Sequence, residues 1–370
     1  MKEIPITVKR SLELLGLFLA GALIVLGGAI LMPLLMAFFI SIMLLPAYRV
    51  FKRWKFPDTL AISLPILLLA LSAALVIWFF SAQISSLIDD FPQIIQNINA
   101  HLKSLSNWIN QKTNYSTAEQ LKFINEQSDK LLSSTGTIIS GALGSVSSFF
   151  LFFGLLPIYV FLILAYKDLL VRFVYIWFAP NTHQKVGETL KEMESIIKSY
   201  LVGLLIQVAY VTILLGGILM IIGIKHALLI GVIFALLNLI PYLGALIGNI
   251  LGVLLTLTSS QELWPIFAVL GTIAFVQFLD NNILMPRIVG SKVKINALSV
   301  IVGVFIAGSL AGISGMFLAL PVIAVLKVIF DRTEMFKQWG VLLGDDSPPA
   351  TAPFKIRWFW QKKSAEKKAD

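Results

Sequence analysis

Gln277-Phe278-Leu279-Asp280-Asn281-Asn282-Ile283-Leu284-Met285-Pro286-Arg287-Ile288-Val289-Gly290 is the stretch that decides how this chain is read. It closes an apolar span and delivers a carboxylate and two amides at that point. Nothing in hydrocarbon solvates such groups, so setting them at the end of a lipid-length helix is expensive. Shortly afterwards a long apolar run begins, broken in its middle by Gly303, Gly308, Gly312 and Gly315. A glycine-interrupted run longer than one crossing suggests backbone that turns inside the protein at membrane depth. Together the two features point to the working part of a transporter.

Composition agrees. The chain is 58% hydrophobic and 13% charged, with a mean hydropathy of +0.87, far outside the range of soluble domains. Its net charge of +9 is of the kind that membrane proteins place in cytoplasmic loops and against anionic headgroups, so nucleic acid is not implied. There are no cysteines, which excludes disulfides and thiolate metal sites. The first apolar run, Leu12 to Leu45, is far longer than a signal-peptide core and is expected to be mature structure.

The sequence predicts an all-α polytopic membrane protein with about eight membrane segments. Leu12 to Leu45 is too long for one crossing of about 20 residues, and Pro33 sits near its middle, so helices over 12–31 and 34–48 are expected. Arg49, Lys52, Arg53 and Lys55 then mark a positive-inside loop. Further spans are expected over 59–82, with Trp78 as an interface anchor, over 146–166 with Pro157 inside, over 200–223, and from Trp264 to Leu279.

Between them, residues 83–145 are polar and carry five acids and four lysines. Ile94, Ile98, Leu102, Leu105 and Ile109 recur at helical spacing, and Ser116-Thr117-Ala118-Glu119 has the pattern of a capping box. This segment is expected outside the hydrocarbon, along the membrane surface or on a neighbouring subunit. Lys167 to Ser199 reads as a cytoplasmic connector with a stripe of Val186, Leu190, Met193 and Ile197.

Ala227 to Thr258 and Ala297 to Val328 are similar in length, each too long for one ~30 Å crossing and too short for two. A re-entrant helical hairpin fits each, with Asn238-Leu239-Ile240-Pro241-Tyr242-Leu243-Gly244 at one tip and Gly308 to Gly315 at the other. Charge places Lys225 and His226 outside and Arg287, Lys292 and Lys294 inside, so helix-plus-hairpin occurs twice in opposite orientation, as in inverted-repeat transporters. The expected parts are scaffold helices over 1–82, the extracytoplasmic segment 83–145, a span and connector over 146–199, a transport region over 200–330, and a basic cytoplasmic tail over 331–370. That tail, with Trp358 and Trp360 among lysines, reads equally as a headgroup-facing segment or a solvated one.

Asp280-Asn281, Pro286, Gly290, Gly312-Ile313-Ser314-Gly315-Met316 and Pro321, together with Ile240-Pro241-Tyr242-Leu243-Gly244, form a pattern that resembles the autoinducer-2 exporter family of membrane transporters. The likeness of layout covers nearly the whole chain, and its specific motifs lie in 238–321. Asn296-Ala297 stands where family members often have His-Pro, and Gly248 to Gly252 where they often have a proline. The resemblance implies inner-membrane transport by homo-oligomers, of which a pentamer is one form, with a moving part that slides against a fixed scaffold. It also implies one of two cargoes: a small sugar-derived signalling molecule for export, or sodium or lithium exchanged for protons.

Within that frame Asp280 is the leading candidate. Its ionised form needs a cation, a set of donors or water, which suits a proton or sodium carrier; the alternatives are a cap on a short helix at 281–286 or a partner for Arg287. Asn281, Asn282, Gln277, Asn238 and Asn249 could offer carbonyls to a cation or bonds to a hydroxylated ligand, and each could equally join helices. Pro241, Gly244, Pro286, Gly290, Gly312, Gly315 and Pro321 are expected to shape the hairpins.

An enzyme is not expected. His101, His183 and His226 lie in separate segments, no P-loop, HExxH or GxSxG occurs, and no metal or cofactor is implied. Transport driven by a gradient is the first reading, and a non-transporting envelope scaffold is the competing class.

Overall fold

The computed structural model describes residues 6–113, 146–241, 243–256, 262, 264–288, 295–334 and 336–345. Among the described residues the chain is helical, with one isolated bridge between Ile295 and Gly344. Helices α1 (Ile6–Leu26), α2 (Gly28–Arg53) and α3 (Asp58–Thr113) come first, followed by α4 (Val146–Ala165) and α5 (Lys167–Ile176). The second half holds α6 (His183–Ile222), α7 (Ala227–Leu237), α8 (Leu243–Thr256) and α9 (Trp264–Leu279). A π turn (Asp280–Leu284) leads into the short α10 (Met285–Ile288), and α11 (Ala297–Arg332) and α12 (Lys337–Leu343) complete the set.

Five helical segments among the described residues are long and apolar enough to cross a bilayer, and a bent pair, Gly154–Ala165 with Lys167–Ile176 at 63°, makes a sixth. The spans over 59–82, 146–166 and 264–279 therefore meet helices. α1, which carries Lys9, Arg10 and Glu13, and the shorter apolar helices α7 and α8 are not among those segments.

The sequence reading is corrected in three places. The break in the first apolar run falls at Gly27 and not at Pro33, which is buried inside α2. A Cβ on Gly27 would stand 2.8 Å from the Leu23 carbonyl oxygen, so the tight joint needs a residue without one. A proline inside an apolar helix removes one backbone bond and is tolerated where neighbours surround it.

Second, residues 83–113 are not a separate helix but the continuation of α3, which runs for 56 residues. Third, the connector stripe and the next span are a single 40-residue helix, α6, closed by Gly223 at φ 88°. The capping-box segment and the tail beyond residue 345 lie outside the described residues.

α6 is the axis of the fold. Its Val211, Leu215 and Leu219 pack against Ile230 and Phe234 of α7 and against Val269 and Ile273 of α9. Its Ile197, Tyr200, Leu201 and Leu204 pack on Met32 and Phe39 of α2 and on Leu318 of α11. A third cluster joins α2, α3 and α4 through Ala37, Leu44, Ile62, Val160 and Leu164. The outer face of α3 shows Leu67, Leu71, Leu75 and Trp78, all more than half exposed, as suits a lipid-facing surface.

Both long apolar stretches double back. In the first, a Cβ on Gly248 would meet Phe234 and one on Gly252 would meet Ile230, which is antiparallel pairing of α7 and α8 about a turn that begins at 238–241. In the second, Ala311 (φ −142°, ψ 19°) and Gly312 (φ 59°, ψ −146°) leave the helical region. Gly303 then faces Ile323, and Gly308 faces Met316. In an unbroken helix residues 303 and 323 would stand about 30 Å apart. By length alone α11 passes as a single crossing; the reversal at Gly312 makes it two arms.

The bases of the two hairpins lie at opposite ends of α6. Arg332, at the foot of α11, binds Glu192 at 2.6 Å and Glu188 at 3.6 Å near the start of α6. The start of α7 touches Gly216, about 42 Å further along α6 at 1.5 Å per residue. Both tips reach its middle, where Leu239 and Ala311 pack on the cluster around Tyr200 and Leu204. The charged loop after α2 joins the Arg332 end through Arg49 and Glu194, 2.9 Å apart.

Candidate functional site

Asp280 sits where α9 passes into the π turn, and the Met285 N–H donates to its carbonyl five residues back. A π turn holds one residue more than an α turn, and such turns recur at functional sites. The side chain is 1% exposed. Its Oδ2 accepts from Gln207 Nε2 at 2.7 Å and from Asn238 Nδ2 at 3.1 Å. One donor comes from the middle of α6 and the other from the tip of the first hairpin, so three elements meet on one oxygen. The other oxygen, Oδ1, is buried without a partner.

Neither expected alternative for Asp280 holds. The side chain caps no helix, because its carboxylate turns toward Gln207 and Asn238. It forms no ion pair with Arg287 among the described residues, and Arg287 is exposed.

Two amide bonds to an ionised carboxylate are worth about 1.5–3 kcal/mol each, while removing the ion from water costs several kcal/mol. With Oδ1 unmatched, the carboxyl group is short of one donor.

A cavity of about 550 Å³ opens beside it, with Gln207, Asn238, Gln277, Asp280 and Asn281 among its lining residues. Leu204, Leu239, Val300 and Leu320 also line it, as do Tyr200 and Pro241. Gln207 Oε1 and Gln277 Oε1, like Asp280 Oδ1, are buried and unpartnered. Gln277 Nε2 donates to Asn281 Oδ1 at 3.2 Å. Among the described residues no group of three or more His, Cys, Asp or Glu could hold a metal ion.

Of the residues singled out from sequence, Asp280, Asn238, Gln277 and Asn281 meet at this cavity. Asn282 and Asn249 do not; each donates back to its own helix, to Phe278 O at 2.9 Å and Ala245 O at 2.6 Å. Pro241 lines the cavity, and Gly244 is buried where a Cβ would land on the Leu237 carbonyl. Gly312 makes the second reversal, Gly315 meets the Ala307 carbonyl across it, and Pro321 is buried in the second arm. Pro286 is exposed just past the π turn, and Gly290 lies outside the described residues.

Asn296 caps α11, accepting from the Ser299 N–H at 2.8 Å and donating to Leu342 O and Gly344 O. Gln207 was not among the expected residues. Its signal was a lone amide inside the apolar run Leu204-Leu205-Ile206-Gln207-Val208.

Residues 12–335 match the sequence profile of the AI-2E family transporter. The chain belongs to the AI-2E transporter family. It is 27% identical to YrrI of Bacillus subtilis, provisionally named a transport protein, over 81% of this chain and 85% of YrrI. It is 24% identical to the AI-2 transport protein TqsA of Escherichia coli, over 86% of this chain and 90% of TqsA. YueF of Bacillus subtilis, also provisionally named a transport protein, is 28% identical over 85% of this chain and 86% of YueF. Membership in the AI-2E family makes this a multi-pass membrane transport protein.

Proposed function

We propose that the protein is a secondary transporter of the inner membrane that exports a small polar organic solute through the Asp280 cavity. Solutes like autoinducer-2, which TqsA's name specifies, are the first to test. The observation that carries the reading is a buried, half-satisfied carboxylate at the junction of α6 with the tip of the first hairpin, beside a cavity of solute size. A scaffold protein has no use for such a group.

Both hairpins are taken as re-entrant, entering the membrane from opposite sides, with the termini cytoplasmic. Their bases at opposite ends of α6 and their tips at its middle support that arrangement. α2, α3 and α4 form the scaffold, and α6 to α11 move against it like an elevator. The apolar faces of α1 and α3 are available to lipid or to further copies in a homo-oligomer, five being the first number to test.

Sodium or lithium exchange for protons is the second reading, favoured by the carboxylate itself. Flux in proteoliposomes, for organic solutes and with a pH-sensitive dye for sodium, lithium and potassium, separates the readings. Loss of organic-solute flux in Asp280→Asn supports the first, and cation-driven proton movement lost in the variant supports the second. No flux in either protein returns the chain to the scaffold class.

A further inference from the structure

Helix α5 carries an apolar face that the rest of the described chain leaves open. Leu169, Leu170, Phe173, Ile176 and Trp177 follow the spacing i, i+1, i+4, i+7 and i+8, which puts them on one stripe. All five are exposed, from 44% at Leu170 to 75% at Trp177. No residue of α5 is buried. Asp168 and Arg172 lie off the stripe, one turn apart.

The helix is held from its polar side at both ends. Lys167 Nζ donates to the Tyr48 hydroxyl at 3.3 Å, and that hydroxyl donates to Asp58 Oδ1 at 3.2 Å. Asp58 also pairs with Lys52 at 2.8 Å, so the start of α5 and the loop after α2 form one cluster. At the other end the Tyr175 and His183 rings meet edge-on, 5.2 Å between centroids, and the Tyr175 hydroxyl lies against Gly187 of α6. Both anchors belong to the end of the molecule where Arg49 binds Glu194.

With 20 residues and a length of about 30 Å, α4 is long enough to cross a bilayer without α5. The 63° bend after it then sets α5 nearer to the membrane plane than to its normal. The exposed apolar side of α4, at Ile158, Leu162 and Tyr166, runs on into the α5 stripe. Charge here is positive: Arg53, Lys55 and Arg172 are exposed and form no ion pair among the described residues. Asp168, the one acid of α5, sits 3.4 Å from Lys167. Trp54 and Trp177, both largely exposed at this end, are of the type that settles at headgroup depth. A second copy would bring the same basic surface to this face, whereas an acidic phospholipid complements it.

We infer that α5 is an interfacial helix that binds acidic phospholipid. Its stripe lies at the boundary of headgroups and acyl chains, and Arg53, Lys55 and Arg172 meet the lipid phosphates. This contact is independent of what the Asp280 cavity carries.

The chain has no cysteine, so single ones can be introduced cleanly. Full-length Leu169→Cys, Phe173→Cys and Trp177→Cys, with Asp168→Cys as control, are spin-labelled in nanodiscs of equal parts phosphatidylglycerol and phosphatidylcholine. Collision with oxygen and with a water-soluble nickel chelate reads the depth. The three stripe labels should favour oxygen at a similar depth, about 5–10 Å into the headgroup–acyl boundary, and Asp168→Cys should favour nickel. A fluorophore at Trp177→Cys should be quenched several-fold more by acyl-brominated phosphatidylglycerol than by brominated phosphatidylcholine. Adding Arg53→Gln, Lys55→Gln and Arg172→Gln should abolish that preference.

Depth that increases steadily from Leu169 to Trp177 would make α5 part of a crossing. Labels shielded from both reagents would put a second copy on the stripe, and access to nickel throughout would leave it in water; each of the three overturns the proposal. Equal quenching by the two lipids, or a preference unchanged by the three glutamines, would overturn its acidic-lipid part.

Discussion

The two folded-back helices solve the same problem with different chemistry. In the first, the turn that begins at 238–241 brings a polar side chain, Asn238, onto the buried carboxyl group of Asp280. In the second, the reversal consists of Ala311 and Gly312, and Ala311 packs with Met32, Phe39 and Leu318. One tip binds through a side chain; the other makes its turn with backbone alone. A hairpin that does chemistry can therefore be silenced without unfolding it, whereas one that is pure geometry can be altered only through its shape.

That contrast can be broken at several points. The largest effect is expected from Asp280→Asn, which should bring flux in proteoliposomes to background while the protein still purifies folded. Undiminished flux would mean that the first tip is as structural as the second.

Next come the close approaches. Gly244→Ala and Gly315→Ala each set a Cβ on a carbonyl across a reversal, Leu237 and Ala307 respectively. Each should lower stability by about 1–3 kcal/mol, the usual cost of overpacking. Gly217→Ala, where nothing lies within 4 Å, is the control in the same thermal-unfolding assay.

Gly312→Ala should cost about 1–3 kcal/mol from its backbone conformation, because φ 59° with ψ −146° is a region that only glycine enters readily. Here nothing lies within 4 Å of the added Cβ, so loss of stability would be strain and not a clash.

Asn238→Ala should reduce flux about tenfold with little change in melting temperature, since Gln207 still holds Asp280. If flux falls no further than it does in Gly312→Ala, the two tips do not differ in kind. The smallest effect belongs to Asn296→Ala at the foot of the second hairpin, where loss of a helix cap should cost about 1 kcal/mol and leave flux intact.

Much of this was legible in the sequence because the bilayer restricts what a polar residue can mean. Asp280, Gln277 and Asn238 stand out against their apolar surroundings, and the glycines of 303–315 mark a break that hydrophobic length alone requires. Gln207 was equally visible as a residue but not as a partner. Its relation to Asp280 spans 73 positions and depends on how α6 is rotated against α9, which periodicity does not supply.

The joint at Gly27 was missed for a related reason. Proline is the stronger local punctuation mark, yet the break went to the position where the Leu23 carbonyl comes too close for any Cβ. The continuity of α3 through residue 83 shows the converse: a change from apolar to polar composition marks a change of surroundings and need not end a helix.

That continuity has a mechanical consequence. A 56-residue helix measures about 84 Å, and only about 30 Å of that can lie in hydrocarbon. The remainder is a pointer whose pivot is set where α3 meets α2 and α4. A tilt of about 10° at the pivot, about 70 Å from Thr113, sweeps the far end through about 12 Å, by the same rise per residue. A pair of spin labels, one near Thr113 and one on α6, would therefore turn any rocking of α3 into a displacement large enough to read directly.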